Sequence, residues 1–140
     1  ITSIVNKLKP SCVIVIDALA SKQAKHLGCT IQISNTGISP GSGVGNSRPC
    51  ISKETLNVPV ISIGVPTVID ASTLAYSLID ENNAPHNLHE IFAPHGADMM
   101  VTPREIDLLI ERASKLIGLS INCALQKDFS AEDIYLLVCW

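Results

Sequence analysis

The pattern of apolar and polar positions changes character along this chain. Cys12-Val13-Ile14-Val15-Ile16 is an unbroken apolar run, dominated by β-branched side chains and ended by a single acid, Asp17. Such a run reads as a strand buried on both faces, with Asp17 where the strand gives way to a loop. Ahead of it, Ile4, Val5 and Leu8 mark the end of a helix stopped by Pro10. After it, residues 18–27 read as a short helix closed by Gly28 in a C-terminal cap position. Thr30-Ile31-Gln32-Ile33-Ser34 alternates apolar and polar side chains, which predicts a strand with one face less deeply buried.

Residues 35–57 break the periodicity. Four Gly, two Pro and several Ser and Thr make this a long irregular loop, a length normally tied to function or disorder. Val58 to Val65 reads as the third strand, with Pro59 confined to an edge or to the strand's first residues. A helix follows from Val68 to about Asn82, with Thr67 as N-cap, Asp70 completing an approximate capping box, and Ala71, Leu74, Ala75, Leu78 and Ile79 as its buried stripe. Residues 83–100 carry no period. Thr102-Pro103-Arg104-Glu105 then combines an N-cap, a Pro at the first helical position and a Glu that closes the box. The helix it opens runs through Ile106, Leu109, Ile110, Ala113, Leu116, Ile117, Ile121 and Ala124. A last short helix starts at Ser130, and its apolar end, Ile134 to Trp140, needs a partner to cover it.

Strands alternating with helices predict an α/β fold with a mainly parallel sheet. Three strands make that sheet narrow, and the apolar content is high for it. Hydrophobic residues are 46% of the chain and charged ones only 16%, so the sequence reads as part of a larger α/β unit. A length of 140 residues fits one domain, 1–140, with a real core. The net charge of −3, with ten basic residues spread along the chain, gives no basic footprint for nucleic acid. No apolar run reaches membrane-spanning length and no signal peptide is visible. Five cysteines without a C-x-x-C pair fit a reducing cytoplasm better than a disulfide framework. A first residue other than Met reads as a processed product or an expressed fragment.

The candidate chemistry follows from the parallel sheet. Strand ends at one carboxyl edge would bring together Asp17, the Gly-rich loop and Pro66-Thr67-Val68-Ile69-Asp70. Gly41, Ser42, Gly43, Gly45 and Asn46 offer unobstructed backbone N–H groups suited to an oxyanion hole or an anion-holding nest. The plainer reading is a loop that needs positive φ angles. Asp17 has a plain reading as the N-cap of the 18–27 helix, and Asp70 has one as the acidic member of a helix-start box. As a pair they would divide general acid and base roles, provided their strand ends are adjacent. His86, His89 and His95 lie in the aperiodic stretch, read as solvent-exposed, and no metal or other cofactor is assigned. Cys12 lies in the buried strand and reads as inert; Cys50, in the loop, has no histidine fixed beside it.

Several blocks carry a resemblance. Ile16-Asp17-Ala18-Leu19-Ala20-Ser21, residues 30–38, Pro40 to Asn46, Ser52 to Leu56, Gly64 to Ala71 and Val101 to Asp107 closely resemble, in order and spacing, the germination proteases of endospore-forming bacteria. The resemblance implies an endopeptidase that degrades small acid-soluble spore proteins, made as a zymogen in the forespore, acting in the spore core cytoplasm and assembled as a tetramer. It implies a three-layer α/β/α sandwich akin to the hydrogenase-maturation peptidases, and an atypical aspartic-type hydrolysis by two aspartates. One of these maps onto Asp17. The other belongs to the family's N-terminal half, which has no counterpart here, so this chain resembles only the C-terminal part of a family member. It is expected to be inactive alone unless Asp70 substitutes. The missing N-terminal half is thus an expected partner, alongside the substrate proteins and further copies of the chain. A non-catalytic paralogue or assembly module, and an anion-binding domain built on the Gly-rich loop, are the alternatives.

Overall fold

The computed structural model describes residues 1–79, 90 and 99–138. These fall into two compact units, Ile1–Pro103 and Arg104–Trp140, and each is taken by itself.

The first unit is built on a mixed sheet, and the fold is α/β. Its strands are β1 (Val13–Ser21), β2 (Gln32–Ser34), β3 (Val60–Asp70) and β4 (Met100–Val101). β3 lies at the centre. β1 runs parallel to it on one side, while β2 and β4 pair with it antiparallel. The expected third parallel strand is therefore reversed, because the turn after residue 28 brings Gln32–Ser34 back against β3.

β3 is buried at nearly every position, including Ile69 and Pro66. It extends five residues beyond the expected end at Val65, so Pro66 and Thr67 lie inside the strand rather than leading a helix. A central strand tolerates Pro66 through a bulge: Leu19 pairs with Pro66 and Ala20 with Val68, leaving Thr67 unmatched. The carbonyls freed there are used. Pro66 O accepts the Gly28 amide at 2.7 Å, and Thr67 O accepts the Thr102 hydroxyl at 3.0 Å. Thr102 is thereby diverted from the expected N-cap.

β1 departs from expectation in two ways. It continues through residue 21 where a helix was predicted, and only a 3-10 turn, Ala24–His26, follows. It is also not buried on both faces. Val13, Val15, Asp17 and Leu19 are half-buried, while Ile14, Ile16 and Ala18 are exposed. Cys12, just ahead of it, is exposed as well. The covered face rests on a core of Val5, Ile51, Leu56 and Val60, with Val13, Val15, Ile38 and Val58 against it. Val5 comes from α1 (Thr2–Leu8), which ends at left-handed Lys9 before Pro10, as the sequence indicates.

The long loop is ordered by this core. Ile38 and Ile51 form a bridge across it, and Ser52 and Thr55 cap the short helix α2 (Lys53–Leu56) reciprocally. Gly37 has a φ of 88°, and a Cβ there would meet Ile51 O at 2.4 Å, so only glycine fits. The buried Ser62 of β3 donates towards Ser34 O at 3.2 Å and Gly37 O at 3.3 Å, tying β2 and the loop to the central strand.

Helix α3 spans Ala71–Leu78, and its N-cap is Asp70 rather than Thr67. In the second unit, α4 (Ile106–Leu125) packs on α5 (Ala131–Val138). At the start of α5 the Asp133 carboxylate accepts from the Ser130 amide at 3.0 Å while the Asp133 amide donates to the Ser130 hydroxyl at 3.2 Å, the expected cap. Ile134 is buried there, whereas Tyr135, Leu136 and Leu137 are exposed.

Candidate active site

Asp17 sits in the middle of β1, not at its end. It is level with Gly64 of β3, and Gly64 in turn is level with Gln32 of β2. The three form one row across the sheet, with Gly64 buried, Asp17 half-buried and Gln32 exposed. Asp17 is half-buried, and its Oδ1 accepts the Ala18 amide at 2.9 Å. The other carboxylate oxygen takes no hydrogen bond among the described residues. One oxygen is thus held and one is available to a water, a geometry suited to a general base.

Two glycines shape the strand around it. A Cβ on Gly64 would lie 2.3 Å from Leu19 Cδ1 and 2.6 Å from its Cγ, so Leu19 leans over the space that Gly64 leaves. A Cβ on Gly43 would lie 2.5 Å from the Cβ of Ala20, so the Gly-rich loop is pressed onto β1 three residues past Asp17. At about 3.3 Å per residue this puts the loop within roughly 10 Å of the acid along the strand. Sequence reading expects that proximity but derives it from a parallel edge that does not form. Neither Gly64 nor Leu19 belongs to a catalytic motif, although an isolated Gly inside a strand pattern signals close approach of a neighbour.

The loop itself is closed. Gly41 and Gly45 have positive φ angles of 73° and 71°, bracketing a 3-10 turn at Ser42–Val44. The Ser42 amide donates to Ser39 O, and the Val44 and Asn46 amides both donate to Gly41 O. Two of the amides proposed for an anion nest, those of Ser42 and Asn46, are thus already engaged within the loop.

Asp70 is engaged elsewhere. Its Oδ1 accepts from the Ser72 hydroxyl and from the Thr73 amide at 3.0 Å. The Ser72 hydroxyl first, and the Thr73 amide second, hold its carboxyl below the ordinary value of 3.8. Asp70 also lies six residues beyond Gly64, Asp17's partner position, which is about 20 Å along the strand. The two carboxylates are too far apart to share a proton or a water. His86, His89 and His95 lie outside the described residues.

The family model for germination proteases matches residues 1–84 and 75–136, and this chain belongs to that family. It is 45% identical to the germination protease of Clostridium perfringens strain SM101 over 158 aligned residues, which cover 96% of this chain and 49% of that protein. The corresponding protein of Caldanaerobacter subterraneus is 43% identical, over 94% of this chain and 48% of its own length. That of Bacillus pumilus is 34% identical, over 96% and 51%. The chain therefore spans about half the length of the curated relatives it matches.

Proposed function

We propose that this chain is the Asp17-bearing part of an endopeptidase that degrades small acid-soluble spore proteins in the spore core during germination. The observation that carries this reading is the family match, which extends over 96% of the chain and includes the whole of β1 and the Gly-rich loop. The reaction is an aspartic-type hydrolysis. The Asp17 carboxylate takes a proton from a water, whose oxygen adds to the scissile carbonyl. A second carboxylic acid then protonates the leaving amine as the tetrahedral intermediate collapses. Asp70 is held ionised and remote, so the second acid comes from the part of the family polypeptide that this chain does not span. The complete polypeptide folds as a three-layer α/β/α sandwich, is made as a zymogen and assembles as a tetramer.

Asp17→Asn in a family-length polypeptide tests this directly. Cleavage of a small acid-soluble spore protein should fall by at least about a thousandfold, with cooperative unfolding retained. Cleavage at the unsubstituted rate would remove Asp17 from the mechanism. A second reading, a non-catalytic assembly module, is favoured by the register, which sets Gly64 and Gln32 rather than an acid in the row of Asp17 and leaves Asp70 remote. It predicts that the family-length protein, too, fails to cleave.

A further inference from the structure

Taking Asp17 as the group that activates the water, as read above, we propose that Gln32 is the donor opposite it. The Gln32 side-chain amide holds the carbonyl oxygen of the bond to be cleaved and stabilises the oxyanion that forms when water adds to that carbonyl.

Register sets the two side chains on one face. Residues level with one another in a sheet project to the same side, so Asp17 and Gln32, on either flank of Gly64, share the face of Val13, Val15 and Val60. One row back, Val15, Ser62 and Ser34 are level, and the Ser62 hydroxyl is committed to Ser34 O and Gly37 O. The apolar core packs against Val13 and Val15. In the row of Asp17 polar groups take over, an acid and an amide flanking a residue with no side chain. Gln32 is exposed, and its side chain makes no hydrogen bond among the described residues, so its donors are open to a ligand.

The spacing matches what hydrolysis needs. Neighbouring strands lie about 4.8 Å apart, so Asp17 and Gln32 stand roughly 10 Å apart with Gly64 between them. A water bonded to the carboxylate, attack over about 3–3.5 Å and a donor about 2.7–3.1 Å from the oxyanion together take up roughly that span. The absent side chain at Gly64 leaves the middle of the row to the substrate backbone, and Leu19, leaning over it, gives that space an apolar floor. In such surroundings a fixed donor acts more strongly than in water. The Gly-rich loop does not supply the donor from Ser42 or Asn46, whose amides are engaged within it. The role of Gln32 is electrostatic. As the water oxygen bonds to the carbonyl carbon, the C=O π pair moves onto the oxygen, and the Gln32 N–H tightens its hydrogen bond without giving up the proton. On collapse the pair re-forms C=O, the C–N bond breaks, and the nitrogen takes the proton of the second acid. Gln32 ends as it began, and Asp17 holds the proton taken from the water.

The test measures steady-state cleavage of a small acid-soluble spore protein by a family-length polypeptide that contains this chain. Gln32→Ala should lower kcat by about a hundredfold to a thousandfold while KM stays within about threefold. Gln32→Glu keeps the size but replaces the donor with a negative acceptor, so it should lose at least as much. Gln32→Asn keeps the amide one methylene short and should lose less than Gln32→Ala. The urea midpoints of all three should match the parent, because Gln32 is exposed. Should Gln32→Ala shift the midpoint, the isosteric Gln32→Glu decides. A kcat within about threefold of the parent in Gln32→Ala and Gln32→Glu, with cleavage abolished by Asp17→Asn, overturns Gln32 and keeps Asp17. A raised KM with kcat intact also overturns it, because Gln32 would then bind ground state and transition state alike. Loss of kcat in the Gln32 variants beside full activity of Asp17→Asn keeps the donor and removes the Asp17 reading. Failure of the unsubstituted polypeptide to cleave removes both.

Discussion

β1 and β3 are neighbours of similar apolar composition, yet they hold opposite positions in the sheet. β3 pairs on both sides and is buried almost throughout; β1, among the described residues, pairs on one side and alternates between half-buried and exposed. The acid of the candidate site is on the half-satisfied strand. The difference teaches that the central strand supplies stability, whereas the edge strand holds chemistry at a boundary that a partner can complete.

The largest expected effect separates the two strands by stability. Ile69 is fully buried, so Ile69→Ala should cost about 2–5 kcal/mol in urea unfolding, whereas exposed Ile16→Ala should stay within about 0.5 kcal/mol. Comparable costs would mean that β1 is as enclosed as β3. Gly64→Ala forces Leu19 off its seat beside Asp17 and should destabilise by about 1–3 kcal/mol. Combining it with Leu19→Ala should recover part of that loss, since the three atoms nearest the added Cβ belong to Leu19.

A smaller effect comes from the end of β3. Asp70→Ala removes the α3 cap and should cost about 1 kcal/mol at neutral pH. The folded Asp70 carboxyl lies below its ordinary 3.8, so its stabilisation is complete above that value and is lost as pH falls through the lower folded value. The variant should therefore lose less stability on acidification than the parent chain, read as the change in urea midpoint with pH. Asp17→Asn should be the mildest for folding, within about 0.5 kcal/mol, because its one hydrogen bond is local and at the surface.

The sequence announces much of this fold and misplaces the acid within it for an identifiable reason. Apolar runs mark β1 and β3, Pro10 marks the end of α1, and the Ser130 cap marks the start of α5. Composition cannot say which apolar run is central, because β-branched residues suit both positions. The unbroken apolar run points to β1 as the strand buried on both faces, while Pro59 allows β3 either an edge position or a start at the proline, and the second is what forms. Pro59 in fact precedes β3, and its carbonyl receives the first bond from β1. The length of β1 is hidden in the same way. Asp17-Ala18-Leu19-Ala20 resembles a capped helix start, but β3 offers Gly64 to Ile69 as a ladder, and pairing overrides local propensity. Asp17 was legible as the acid to follow. Its mid-strand position, the Gly64–Leu19 contact beside it and the closed Gly-rich loop become visible only once register is known.

The most direct test of the half-satisfied strand is residue-resolved amide exchange on this chain at low concentration. Val13 and Val15, bonded to β3, should exchange slowly, and Ile14 and Ile16 between them should exchange fast, giving an alternating profile along β1 set against continuous protection along β3. Uniform protection of all four β1 amides would contradict the account, because it would mean that the edge beside Asp17 is already paired.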